Sequence, residues 1–190
     1  MVKQVFLALI GLFILTTASA YSDTPLKNYT LQNQEGKPFQ LNDIKGSSVL
    51  VSFIYTRCPM PNMCPLTMSL NKRVFALWKK KAPSTPLKFL IVTLDPSHDS
   101  ASTMKAYSQK YGMTDPAFIL ATGTEQTISN FSSEFNALGF PSNGLISHNS
   151  RSVLLGPNLS PIKDYKDNEW KPEDVLNDLK SFSEKKDEKS

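Results

Sequence analysis

Apolar and polar residues fall along this chain in blocks that read alternately as strand and helix. Val49-Leu50-Val51-Ser52-Phe53-Ile54-Tyr55 is a nearly unbroken apolar run, the pattern of a strand buried on both faces. From Leu66 the period changes. Leu66, Leu70, Val74, Leu77 and Trp78 recur every three or four residues, and Lys79-Lys80-Lys81 close this helix where cations suit its dipole. Leu87 to Leu94 is a second apolar strand. Asp95-Pro96-Ser97-His98-Asp99 then forms a loop, and Asp99 or Ser100 stands where a cap is needed for a helix carrying Met104, Tyr107 and Tyr111. Phe118-Ile119-Leu120 is a short strand, and Thr124 caps a helix with Ile128, Phe131 and Phe135. Gly139 to Asn149 shows no period and is expected to be irregular. Ser152 to Leu155 and Ile162 to Tyr165 read as two strands joined at Pro157-Asn158, and Pro172 begins a last helix with Val175, Leu176, Leu179 and Phe182. Upstream, Tyr21 to Phe39 is a polar lead-in with a short hairpin around Glu35-Gly36-Lys37. Downstream, Glu184 to Ser190 is a charged, flexible tail.

This order predicts an α/β fold with a central mixed sheet flanked by helices. The strand–helix–strand crossovers make parallel pairs and the late hairpin adds an antiparallel one. The arrangement resembles the thioredoxin-like fold. No repeat and no internal linker divides residues 21–183, so they read as one domain.

Residues 1–20 are different in kind. Lys3 supplies a positive start, Val5 to Leu15 is an apolar run, and Ala18-Ser19-Ala20 is an A-x-A cleavage site, the three parts of a cleavable export signal. The apolar run is short of the ~20 residues a bilayer core requires. The mature chain is expected to begin near Tyr21. No cysteine follows the apolar run, so no lipid anchor is indicated. Export also changes how cysteines are read, because thiols outside the cytoplasm tend to oxidise.

The chain of 190 residues is 40% hydrophobic and 20% charged, a balance that supports a core without disulfide staples. Two cysteines are too few for a disulfide scaffold or a four-cysteine zinc site. No glycine-rich nucleotide loop is present. The formal charge of +4 comes with acidic residues interspersed among the lysines, which argues against nucleic acid as a partner.

The candidate chemistry lies in Arg57-Cys58-Pro59-Met60-Pro61-Asn62-Met63-Cys64-Pro65, at the C-terminal end of a buried strand and before a helix. Open α/β sheets bind ligands at that edge. Pro65 suits the first helical position, which puts Cys64 at or beside the N-cap. The helix dipole there is expected to lower the thiol pKa below the free value of about 8.5, with Arg57 adding to the effect. The prolines prevent a continuous helix, so the loop folds Cys58 back beside Cys64. Two such sulfurs form a disulfide, act as a redox pair, or share a soft cation such as Cu(I) with a third ligand. As a plain staple the short loop contributes only about 2 kcal/mol. The third ligand is His98 or His148, the chain's two histidines, and residue chemistry does not separate them. Met60, Met63 and Met68 are soft donors nearby, although apolar packing is the better account of them. Asp95 and Asp99 suit a turn and a cap, or an acid/base pair.

Phe53-Ile54-Tyr55-Thr56-Arg57-Cys58-Pro59, Met63-Cys64-Pro65, Thr93-Leu94-Asp95-Pro96-Ser97-His98-Asp99, Thr122-Gly123-Thr124-Glu125, His148 and Leu154-Leu155-Gly156-Pro157-Asn158 together resemble the Sco/SenC family, exported thioredoxin-like copper proteins of cytochrome c oxidase assembly. The match runs from about Leu26 to Phe182. The resemblance implies copper held by Cys58, Cys64 and His148, and a function for Asp95. It implies copper delivery to the oxidase subunit that carries the dicopper centre, or to another exported cuproprotein, in the periplasm, by a protein that is soluble or peripheral to the inner membrane. The family's usual spacing has three residues between the cysteines where this chain has five, which lengthens the loop and keeps both thiols. The usual membrane anchor is replaced here by the cleavable signal. The alternative activity is that of a thiol–disulfide oxidoreductase using Cys58 and Cys64 on exported targets, itself served by a thioredoxin-like reductant. A peroxidase is not indicated, because Thr56-Arg57-Cys58 is not a peroxidatic motif.

Overall fold

Every residue of the third strand, Ser48–Ile54, is buried, because both faces of the sheet are covered. Its even-numbered apolar residues Leu50 and Ile54 join one core. Its odd-numbered residues Val49, Val51 and Phe53 join the other, as the two-residue period of a strand requires.

The structure is a computed structural model describing residues 24–187, with side chains through Glu184. The export-signal reading of residues 1–20 lies outside the described residues. In chain order the elements are β1 (Thr30–Asn33), β2 (Pro38–Gln40), a 3-10 turn (Leu41–Ile44), β3 (Ser48–Ile54), α1 (Cys64–Lys81), β4 (Leu87–Thr93), α2 (Ala101–Lys110) and β5 (Phe118–Thr122). There follow α3 (Glu125–Glu134), β6 (Gly139–Ser142), β7 (Leu145–His148), β8 (Arg151–Leu155), β9 (Pro161–Lys166) and α4 (Pro172–Asp187).

Seven strands form one sheet in the order β2-β1-β5-β4-β3-β8-β9. β3, β4 and β5 are parallel, while β8 is antiparallel to both β3 and β9. This is the expected thioredoxin-like mixed sheet. Apolar residues of α1, α2 and α4, among them Val74, Met104 and Val175, cover one face. Ile128, Phe131 and Phe135 of α3 cover the other together with Leu31 and Leu41. Ser100 rather than Asp99 caps α2, its side chain accepting from the Thr103 N–H at 3.2 Å. Thr124 caps α3 as expected. α4 continues past Glu184 to Asp187, into the charged stretch expected as a flexible tail.

One segment differs outright from the sequence reading. Gly139 to Asn149, expected to be irregular, contains a β-hairpin in which β6 and β7 form their own two-stranded sheet. Its turn residues Asn143 (φ 50°) and Gly144 (φ 76°) are both left-handed, as the tight hairpin turn with two positive φ values requires. The Asn-Gly pair is the local signal for such a turn. Flanking residues that stay largely exposed hide the usual alternation.

Candidate metal centre

β3 delivers the chain to the sheet edge, where two short turns reverse it. The Cys58 N–H donates to the Tyr55 carbonyl at 3.3 Å, and the Met63 N–H to the Met60 carbonyl at 3.1 Å. α1 begins at Cys64 itself, one residue earlier than Pro65, with Met63 as N-cap. Proline is tolerated there because first-turn N–H groups lack intrahelical partners. Cys64 is fully buried and its sulfur accepts from the Tyr55 N–H at 3.4 Å. Cys58 is half-buried. Both are free thiols.

His148, the last residue of β7, completes the group. Its Nε2 lies 3.4 Å from Cys64 Sγ. Its Nδ1 lies 2.9 Å from the Asn149 carbonyl oxygen. A carbonyl only accepts, so Nδ1 carries the hydrogen and Nε2 presents a lone pair to the sulfur. The Tyr55 ring packs nearly perpendicular to the imidazole, centroids 5.4 Å apart. One donor atom each from Cys58, Cys64 and His148 lie within 4.8 Å of one another. Metal–ligand bonds to nitrogen and sulfur are about 2.0–2.3 Å, so small side-chain rotations bring all three onto one ion. The donor set is soft, as Cu(I) prefers.

His98 goes elsewhere. Its Nδ1 lies 2.8 Å from Asp95 Oδ1 and 3.1 Å from the Arg57 guanidinium. Placement therefore favours His148 over His98, as the resemblance implies. Met68 is fully buried in the core, whereas Met60 is exposed at the loop tip.

The electrostatics correct one expectation. Cys64 does stand at a helix start, yet burial pushes its thiol pKa well above the ordinary value, and the Tyr55 N–H recovers only part of the loss. Desolvation of a thiolate outweighs the helix dipole when the sulfur has no exposed surface. Arg57 does not offset this, because its guanidinium pairs with Asp95 at 2.7 Å. Burial also lowers the His148 pKa below 6.5, keeping the ring neutral. Burial works to raise the Asp95 pKa, but hydrogen bonds from Arg57, His98 and Ser97 outweigh it and hold the carboxyl below 3.8.

Sequence reasoning missed the part played by Asp99. It is fully buried and accepts from the Thr56 N–H, the Thr56 hydroxyl and the Thr93 hydroxyl. It thereby ties the start of the cysteine loop to the end of β4. Asp95 and Asp99 both serve local structure, with Asp95 in the turn and Asp99 across two strand ends.

A family model described as SCO1/SenC matches residues 18–184. A SCO1 protein homolog of Bacillus subtilis is 29% identical over 192 residues, covering 96% of this chain and 97% of that protein. The solved structure of BsSco, described as having a disulfide switch and as a member of the Sco family of cytochrome c oxidase assembly proteins, superposes with a TM-score of 0.73. It is 26% identical and covers 85% of this chain and 95% of its own. Copper-bound ScoI of Bradyrhizobium japonicum, 23% identical, shares the fold with a TM-score of 0.67, covering 83% of this chain and 99% of its own. Among the described residues, no helix is long and apolar enough to cross a membrane.

Proposed function

This chain belongs to the SCO1/SenC family, and we propose that it is an exported copper carrier. It binds one copper ion through Cys58, Cys64 and His148 and passes it to the dicopper centre of a respiratory cytochrome c oxidase. The observation that carries the reading is the convergence of two thiols and one imidazole within 4.8 Å. BsSco's description as an oxidase-assembly family member supports the choice of target. The signal-like residues 1–20 support export, and with it a periplasmic protein, soluble or peripheral to the inner membrane.

Each residue has a separable task. His148 offers Nε2 as a neutral ligand because the Asn149 carbonyl fixes its tautomer. Cys64 anchors the ion from the buried side and gives up its proton when a cation replaces it. Cys58, the half-buried sulfur on the prolyl loop, is the ligand an incoming partner reaches first and so the one exchanged at transfer. Titration of the purified protein with Cu(I) against a chelator tests this. One copper per chain is expected. Wild-type affinity retained in both Cys58→Ser and His148→Ala would sink it.

A second reading is favoured by the unequal exposure of the two sulfurs. As a thiol–disulfide oxidoreductase, the Cys58 thiolate attacks a target disulfide and releases one target thiol. Cys64 then attacks the mixed disulfide, leaving Cys58–Cys64 oxidised and the target reduced. Metal-free turnover on a disulfide substrate is the expected result for this activity, and no turnover removes it.

A further inference from the structure

Asn168 lies in the turn after β9, far in sequence from both cysteines. It has φ 55° and its neighbour Asp167 has φ 58°, a left-handed region that asparagine and aspartate tolerate better than most residues. Asn168 is only 7% exposed. Its amide nitrogen faces the main-chain carbonyls of Asn62 at 3.4 Å and Met63 at 3.2 Å. It also faces the hydroxyls of Thr67 at 2.9 Å and Ser150 at 3.3 Å. Carbonyls only accept, so the group turned toward them is the amide NH2. The Thr67 hydroxyl has two acceptors for its one hydrogen, the Met63 carbonyl at 3.1 Å and Asn168 Oδ1 at 3.2 Å, and its oxygen accepts from the Asn168 amide. The backbone of the same turn grips Ser150 as well, the Asp167 N–H donating to its carbonyl at 3.2 Å.

These contacts join the two halves of the candidate centre. Asn62 and Met63 immediately precede Cys64, and Ser150 follows closely on His148. β7, which carries His148, pairs with β6 and not with the seven-stranded sheet. The main hydrogen-bond ladder therefore does not hold His148 directly. A buried amide holds Met63 on one side and Ser150 on the other.

We propose that Asn168 is a positioning residue for the metal centre, a bridge that fixes the imidazole of His148 against the sulfur of Cys64. The inference rests on the copper reading above. Outer residues that orient metal ligands change affinity by about ten- to hundredfold when removed, and that loss is expected here.

Two variants test it. Asn168→Gly keeps the left-handed backbone and removes the amide. Asn168→Asp keeps size and turn preference but turns an acceptor toward two carbonyls. Cu(I) affinity is read by chelator competition, the Cu(II)–thiolate absorption band by spectroscopy, and the His148–Cys64 proximity by proton NOEs in the metal-free protein. Weaker affinity by about ten- to hundredfold, a shifted band and a weakened NOE support the bridge. Unchanged affinity, band and NOE with only a lower melting temperature overturn it and leave Asn168 a structural residue. If wild type binds no copper yet the NOE is lost in the variants, the bridge stands and the copper reading fails. Should Asn168→Gly not fold, Asn168→Asp decides.

Discussion

The Nε2 atom of His148 lies 3.4 Å from the sulfur of Cys64, although 84 positions separate the two residues. The imidazole is committed at its other nitrogen to the Asn149 carbonyl, so the Cys64 thiol donates to Nε2. A cation held by Cys64 and His148 would take the place of that shared proton.

His148→Ala is expected to weaken Cu(I) binding by at least about a hundredfold, since losing a ligand costs more than losing an outer partner. His98→Ala should leave affinity unchanged, because His98 is engaged with Asp95 and Arg57. Chelator competition measures both. A loss in His98→Ala matching that in His148→Ala would reverse the ligand assignment.

The pH dependence has a definite sign. Copper bound by Cys64 displaces the proton of its buried thiol, so affinity falls as pH falls. In the metal-free protein burial keeps the His148 pKa below 6.5. Below that value the unfolded chain takes up a proton that the folded chain resists. Stability is therefore lost as pH drops from 6.5 through the folded pKa. Urea denaturation across this window should show a steeper loss in wild type than in His148→Gln. Parallel profiles would place the titration elsewhere.

Asp99→Ala should destabilise the fold strongly. It strands three donors, from Thr56 and Thr93, that converge on a fully buried carboxylate. Each buried group left unpaired costs about 1–3 kcal/mol, so a total of at least ~3 kcal/mol is expected by chemical denaturation. A change under about 1 kcal/mol would mean that water replaces the carboxylate.

The two thiols should react in a fixed order. Cys58 is half-buried on the loop, whereas Cys64 is fully buried and burial holds its pKa up. Alkylation of the reduced, metal-free protein followed by peptide mass mapping is expected to label Cys58 first. Copper should protect both. Faster labelling at Cys64 would contradict the buried-anchor role.

Much of the architecture was legible in the chain. The all-buried run at β3 and the three- and four-residue recurrence along α1 are local patterns, and the elements follow them within a residue or two. The hairpin of β6 and β7 was missed although Asn143-Gly144 announces it. Its strands are mostly exposed, so no core-facing alternation marked them. Of the two candidate caps Ser100 takes the role, and the part Asp99 plays does not show in the sequence because its partners Thr56 and Thr93 come from two different strand ends.

Local spacing was enough to bring the two cysteines to one loop at a sheet edge, since prolines and helix starts act within a few residues. Residue chemistry alone left His148 and His98 open and only the family resemblance favoured His148; bringing its ring to the sulfur, and turning Cys64 from an expected low-pKa thiol into a buried neutral one, depended on how distant segments pack. Histidine reach is set by the hairpin and the turn at Asn168, and thiol ionisation by the solvent removed when β3, α1 and β7 close around the sulfur. Neither quantity exists until the chain is folded, because each sums contributions from residues remote in sequence.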